Sequence, residues 1–169
     1  MSMDIKLIGV CGAGGTMGAG IAIVAARAGY QTICYDTCSE KLGEARTQTE
    51  RFLQKSVERG KLTGEDARVI LARMSAYSDM SSLADCDLVI EAVFEDLHVK
   101  RNLFGTLDDI CKPATIFASN TSTLSITEIA AGCNRQDRVV GMHFCLPAQL
   151  MKLIEMSPGM NTSQESFAA

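Results

Sequence analysis

Ile5-Lys6-Leu7-Ile8-Gly9-Val10-Cys11, then Gly12-Ala13-Gly14-Gly15-Thr16-Met17-Gly18, then Ala19 to Ala28, Gln31 to Tyr35 and finally Asp36 form the stretch that decides the fold. It reads as an apolar strand, a glycine-rich turn, an apolar helix, a second strand and a closing acid. That order builds a dinucleotide site. Glycines let the backbone turn sharply and approach a pyrophosphate, whose charge then sits at a helix N-terminus. An acid ending the second strand accepts hydrogen bonds from the adenosine ribose hydroxyls and repels the extra phosphate of NADP, so Asp36 favours NAD.

The glycine spacing departs from G-x-G-x-x-G. Counted from Gly12, Met17 occupies the third glycine position. Counted back from Gly18, Gly15 fits the second position and Ala13 replaces the first. The turn is therefore either one residue longer than the fingerprint or begins on alanine. A glycine-rich turn also serves as a plain connection, so the flanking strand, helix and Asp36 carry the argument.

Outward from this unit, strand-type runs alternate with helical ones, which implies parallel βαβ units in a doubly wound α/β sheet. Helices are expected over about Ser39–Arg59, from the Thr63-Gly64-Glu65-Asp66 cap to about Arg73, over Val99–Ile110, and briefly from the Ser125-Ile126-Thr127-Glu128 capping box to near Gly132. Further strands are expected at Ser75–Tyr77, Leu88–Val93, Thr115–Ala118, Arg138–His143 and Leu153–Met156. Asn161 to Ala169 reads as the start of a helix that stops after about two turns, short for a helix without packing.

A chain of 169 residues suffices for one domain with a core, so residues 1–169 are read as one dinucleotide-binding domain cut within its last helix. With 47% hydrophobic and 21% charged residues the composition is that of a globular domain, and a net charge of −4 argues against a nucleic-acid groove. The apolar runs are too short to span a membrane, and Met1-Ser2-Met3-Asp4 leads almost directly into the first strand, leaving no room for a signal peptide. A cytoplasmic protein is expected. The seven cysteines are scattered, no C-x-x-C pair exists, and Cys34 and Cys38 lack a nearby histidine. They read as reduced core thiols, with no metal site.

Ligands in doubly wound sheets bind beyond the carboxyl ends of the strands. Glu91 and Glu95 follow the fourth strand, with Lys100 on the next helix. Ser119-Asn120-Thr121-Ser122-Thr123 follows the fifth, the sixth delivers His143, and the seventh carries Glu155 in an apolar run. Histidine exchanges protons near neutral pH, and a buried glutamate beside it orients the ring and stabilises imidazolium. With NAD as hydride acceptor, alcohol oxidation with His143 as proton acceptor follows. Each residue also has a structural reading: His143 as a hydrogen-bonder, Glu155 as a solvated edge residue, Ser119 to Thr123 as a helix lead-in. His98 carries no catalytic expectation.

These residues resemble the NAD-dependent 3-hydroxyacyl-CoA dehydrogenases, in particular the 3-hydroxybutyryl-CoA type. The resemblance rests on Thr16-Met17-Gly18-Ala19-Gly20-Ile21-Ala22, Asp87-Leu88-Val89-Ile90-Glu91-Ala92-Val93 with Glu95 and Lys100, and Ser119-Asn120-Thr121-Ser122. It is most specific at Gly141-Met142-His143-Phe144 with Pro147 and Met151-Lys152-Leu153-Ile154-Glu155. It implies a Rossmann-type fold, a role in fatty acid metabolism and an acyl-CoA substrate. His143 then looks like the catalytic base, Glu155 its dyad partner and Ser122 the serine that hydrogen-bonds the substrate oxygen. Gly12, Gly14, Gly15, Thr16, Met17, Gly18, Asp36, Glu95, Lys100 and Asn120 look like the NAD side of the site. Lys55, Arg59 and Lys61 look like candidates to face coenzyme A phosphates.

The chain departs from the family's pattern in three ways. It carries the additional turn glycine, and Cys145-Leu146 where the family reads Phe-Asn. It also lacks the family's C-terminal helical domain, which supplies most of the usual homodimer contact. Two other readings stay open: a non-catalytic NAD-binding module, and a related dehydrogenase of another hydroxy acid or a sugar acid.

Overall fold

The computed structural model describes residues 4–169, and the lead-in expected over residues 1–3 lies outside them. Seven strands form one sheet in the order β3-β2-β1-β4-β5-β6-β7. They are β1 (Leu7–Cys11), β2 (Gln31–Tyr35), β3 (Met74–Tyr77), β4 (Leu88–Glu91), β5 (Ile116–Ser119), β6 (Val139–Phe144) and β7 (Ile154–Pro158). The first six strands pair in parallel, and β7 alone runs antiparallel, against β6. The chain leaves β1 toward β3 and returns to β4 on the other side of β1, which opens a crevice between the carboxyl ends of β1 and β4.

The central strands β1, β4 and β5 are buried almost throughout, as parallel strands covered on both faces must be. On one face, α1 (Thr16–Ala28) packs Ile21, Ala22 and Ala25 against Ile8, Val10 and Ile90. On the other, α4 (Leu97–Ile110) and α5 (Ile126–Ala130) bury Phe104, Leu107 and Ile129 over Val89 and Phe117. A third cluster, Ala26, Leu53 and Ile70, ties α1 to α2 (Ser39–Glu58) and α3 (Gly64–Ala72). The Thr63 cap is a reciprocal capping box, with the Thr63 hydroxyl accepting from the Asp66 amide and the Asp66 carboxylate accepting from the Thr63 amide.

The expected elements are present, with shifted ends. The α1 helix opens at Thr16, three residues ahead of the apolar run, because Gly15 is its cap. The α4 helix opens at Leu97 because the Asp96 carboxylate accepts from the Val99 amide. Strand β4 ends at Glu91, whose own carboxylate turns back to accept from the Val93 amide. Short 3-10 turns at Met80–Leu83 and Gln136–Arg138 carry no apolar period and were not expected. The sheet is mostly parallel, as expected; β7 is antiparallel because the segment after β6 returns without a crossover helix. The last helix, α6 (Gln164–Ala168), is capped by Ser163.

All seven cysteines are free, and five of them are buried. Burial pushes the thiols of Cys34, Cys111 and Cys133 up to about 11, and that of Cys86 to about 12. These are small hydrophobes of the core, as expected. Cys38 and Cys145 are only half-buried.

Candidate functional site

The glycine turn lies at the β1–β4 crevice, and its geometry resolves the spacing. Gly12 has φ +79°, and a Cβ there would lie 2.6 Å from the Ala92 carbonyl oxygen. A Cβ on Gly18 would lie 2.2 Å from the Gly12 carbonyl oxygen, and one on Gly14 2.8 Å from Asp36 Oδ2. The positions that admit no side chain are therefore 12, 14 and 18, and the turn is one residue longer than the fingerprint. The added residue is accommodated at Gly15, where a Cβ would come no closer than 3.4 Å to any atom. No side chain caps α1, and no acid sits in its first turn. Its leading N–H groups are thus left for an anion.

Asp36 closes this turn from the end of β2. Its Oδ2 accepts from the Gly14 amide at 3.1 Å and its Oδ1 from the Cys38 amide at 3.1 Å. Two bonds leave lone pairs on both oxygens for ribose hydroxyls. Around it opens a cleft of about 560 Å³, with Gly12, Gly15, Thr16 and Met17 on one wall and Met80, Val93, Val99 and Leu103 on another. Apolar walls, an acid and a free helix start together match a nucleotide's base, ribose and pyrophosphate. The residues present fit NAD.

Beside the cleft lies a polar knot. Glu91 Oε1 accepts from Lys100 Nζ at 2.5 Å, and Oε2 accepts from the Ser119 hydroxyl at 2.6 Å. The Lys100 side chain is 1% exposed and that of Glu91 0%, so each charge is met by a partner rather than by water. Lys100 also reaches Glu95 Oε2 at 3.1 Å. Glu95 in turn accepts from the Thr121 hydroxyl and from the Ser122 amide. Burial pushes the Glu95 carboxyl up, but hydrogen bonds from Thr121 and Lys100 outweigh it, and the group titrates below its ordinary value. Lys100 is thus buried between two acids, and Glu95 braces the turn that carries Ser122.

Asn120 spends its side chain on the neighbouring strand: its Oδ1 accepts from the Phe144 amide at 2.7 Å. That bond fixes the end of β6 immediately after His143. The two strands β6 and β7 then set His143 directly opposite Glu155. Nδ1 of His143 lies 2.6 Å from Oε2 of Glu155, with side-chain exposures of 29% and 61%. Of the two readings of Glu155, a buried partner of the histidine or a solvated edge residue, the exposure matches the second. Glu155 is solvated because β7 is an edge strand whose residues are all exposed.

Ser122 is exposed on the turn after β5, and His98 is exposed in the first turn of α4. Lys55, Arg59 and Lys61 are exposed at the far end of α2 and beyond. Lys55 lines a groove between α2 and α3 together with Arg51 and Arg68, but also Glu50 and Glu58. Two features went unread in the sequence. One is Glu91 as the centre of the knot, signalled by an acid closing an apolar strand with a lysine one turn into the next helix. The other is Cys145, whose Sγ lies with a His143 nitrogen and a Glu155 oxygen, all within 4.8 Å of one another.

Among the described residues no helix is long and apolar enough to cross a membrane. Residues 7–169 match the family model described as 3-hydroxyacyl-CoA dehydrogenase, NAD binding domain. The chain is 44% identical to the 3-hydroxyadipyl-CoA dehydrogenase of Escherichia coli K12, over 98% of this chain and 34% of that protein. It is likewise 44% identical to a probable 3-hydroxybutyryl-CoA dehydrogenase of Bacillus subtilis, over 97% of this chain and 57% of the relative. The crystal structure of a 3-hydroxybutyryl-CoA dehydrogenase from Escherichia coli K12 superposes with a TM-score of 0.95 at 44% identity, over 98% of this chain and 35% of that one. The chain thus spans from about a third to somewhat over half the length of these relatives. With its mostly parallel Rossmann-type sheet and its nucleotide cleft, it belongs to the 3-hydroxyacyl-CoA dehydrogenase family as an NAD-binding domain.

Proposed function

We propose that this chain provides the NAD half and the proton-transfer dyad of a 3-hydroxyacyl-CoA dehydrogenase acting on short-chain 3-hydroxyacyl-CoA in the cytoplasm. The observation that carries this reading is the 2.6 Å contact between His143 and Glu155 at the carboxyl edge of the parallel strands, on the same edge as the glycine turn. The Glu155 carboxylate accepts Nδ1–H, which leaves the Nε2 lone pair to take the proton of the 3-hydroxyl. NAD, when bound, supplies the hydride acceptor. Ser122 holds the substrate oxygen through its hydroxyl. Asn120 keeps the β6 end in position, and Asp36 selects NAD over NADP.

Residues 1–169 act as one dinucleotide-binding unit. The reading is tested by titrating NADH fluorescence and by following NADH formation from 3-hydroxybutyryl-CoA. Saturable NADH binding with weak turnover is expected. Failure to bind NADH overturns the proposal.

A second reading, a non-catalytic NAD-binding module, is favoured by Leu146. This side chain is 59% exposed, two residues beyond β6, where a polar group would serve a nicotinamide site better. Binding without turnover, even when acyl-CoA is saturating, supports that reading.

A further inference from the structure

The residue two positions beyond His143 is a cysteine, and in an extended segment alternate side chains share one face. Glu155 arrives opposite His143 through the antiparallel register of β6 and β7. One imidazole nitrogen, one sulfur and one carboxylate oxygen therefore converge, with all three donor atoms within 4.8 Å of one another. In a zinc tetrahedron, bonds of about 2.0–2.3 Å set the donors roughly 3.3–3.7 Å apart. The widest pair has to close by at most about an ångström, while Nδ1 of His143 and Oε2 of Glu155, 2.6 Å apart in their hydrogen bond, have to open by somewhat less. Glu155 is free to make that movement, its side chain being 61% exposed.

We propose that His143, Cys145 and Glu155 form a binding site for a borderline-soft divalent cation of the Zn²⁺ class, with a fourth position open to water. Imidazole and thiolate donors select zinc, cobalt or cadmium over magnesium and calcium, which take oxygen donors. Cys145 is half-buried and Glu155 solvated, so the ion has a path in from solvent. Cys145 separates this site from the other thiols: five are sealed in the core, and Cys38 lies after β2. The ion takes up the donors of the His143–Glu155 contact and withdraws them from proton transfer. That inhibitory consequence rests on the catalytic reading; the metal site itself does not.

The test is titration of the reduced 169-residue chain with Co²⁺, read as thiolate-to-cobalt charge-transfer absorption, with no substrate present. One equivalent is expected to bind saturably, and added Zn²⁺ to bleach the band. Cys145→Ser is expected to abolish the band. His143→Gln and Glu155→Gln are each expected to weaken binding by at least the roughly 10–100-fold that loss of an outer-sphere partner costs. NADH binding by each variant reports that it is folded and tests the nucleotide site separately. Absence of the band in the parent chain overturns the proposal. So does a band that survives in Cys145→Ser, or equal affinity in His143→Gln.

Discussion

Glu91 and Lys100 form an ion pair of 2.5 Å in which neither side chain meets solvent. The pair stands where the end of β4 meets α4, and Glu91 also holds the Ser119 hydroxyl and the Val93 amide. It therefore ties together the crevice, the β5 turn and the helix behind them. Lys100→Met leaves an uncompensated buried carboxylate and is expected to cost about 3–5 kcal/mol. Urea unfolding gives this directly, as a lower midpoint at unchanged slope. Glu91→Leu added to Lys100→Met is expected to recover part of the loss. Full loss in the double variant would mean that the Ser119 and Val93 bonds, rather than the ion pair, dominate.

The glycine turn gives a paired prediction. Gly18→Ala drives a methyl group into the Gly12 carbonyl oxygen, which a Cβ would approach to 2.2 Å, and is expected to abolish NADH binding. Gly15→Ala meets only ordinary contacts at a φ of −85° and is expected to leave stability within about 1 kcal/mol of the parent. Fluorescence titration and thermal melts of the two variants separate them.

Asp36→Asn removes the charge facing the ribose while keeping the shape. Hydrogen bonds to charged groups contribute about 1.5–3 kcal/mol, so NADH affinity is expected to fall roughly tenfold or more. NADPH is expected to gain relative to NADH, which parallel titrations of the two nucleotides measure. An unchanged preference would remove Asp36 from cofactor selection.

If activity is measurable, His143→Gln is expected to lower kcat by about 10²-fold or more, the contribution of a positioned general base. NADH affinity is expected to stay the same, since the glycine cleft holds the nucleotide. A parent-like rate in this variant would exclude His143 as the base.

Stability should also fall in acid. Burial pushes the Asp87 carboxyl up, but bonds from Lys112 and from the Leu7 and Lys6 amides outweigh it, so Asp87 titrates below its ordinary value. Asp108, held by Arg135 and the Asn134 amide against the same burial, behaves alike. A folded carboxyl shifted down stabilises above its unfolded pKa, near 3.9, and that contribution is lost as pH falls through the folded value. Melting temperature is expected to drop from about pH 5 downward. Asp87→Asn is expected to flatten that slope, and a parent-like slope would discount the group.

The fold was legible because its central strands are continuous apolar runs and its first turn is punctuated by glycines. Asp36, the β5 turn and His143 were legible as polar residues at the carboxyl ends of such runs, and Glu155 as an acid inside one. What escaped was two-dimensional. Parallel or antiparallel entry of β7 depends on a return path that no periodicity encodes, which is why burial and solvation of Glu155 both stayed open in the sequence. The spacing alone left the length of the glycine turn open, and backbone approach at Gly12 and Gly18 closed it. The partners of Glu91, nine and 28 residues along the chain at Lys100 and Ser119, meet it only once the strands are side by side. Cys145 was read as one of seven core thiols because its neighbour across the strands is ten residues further on.

The two members of the dyad are rungs of a single backbone ladder at the sheet's rim. Their alignment is thus inherited from amide-to-carbonyl pairing, and a slip of one residue would turn Glu155 to the opposite face. On the proposed reading, anything that seats itself along the outer margin of β7, or frays it, would alter proton transfer without touching the histidine.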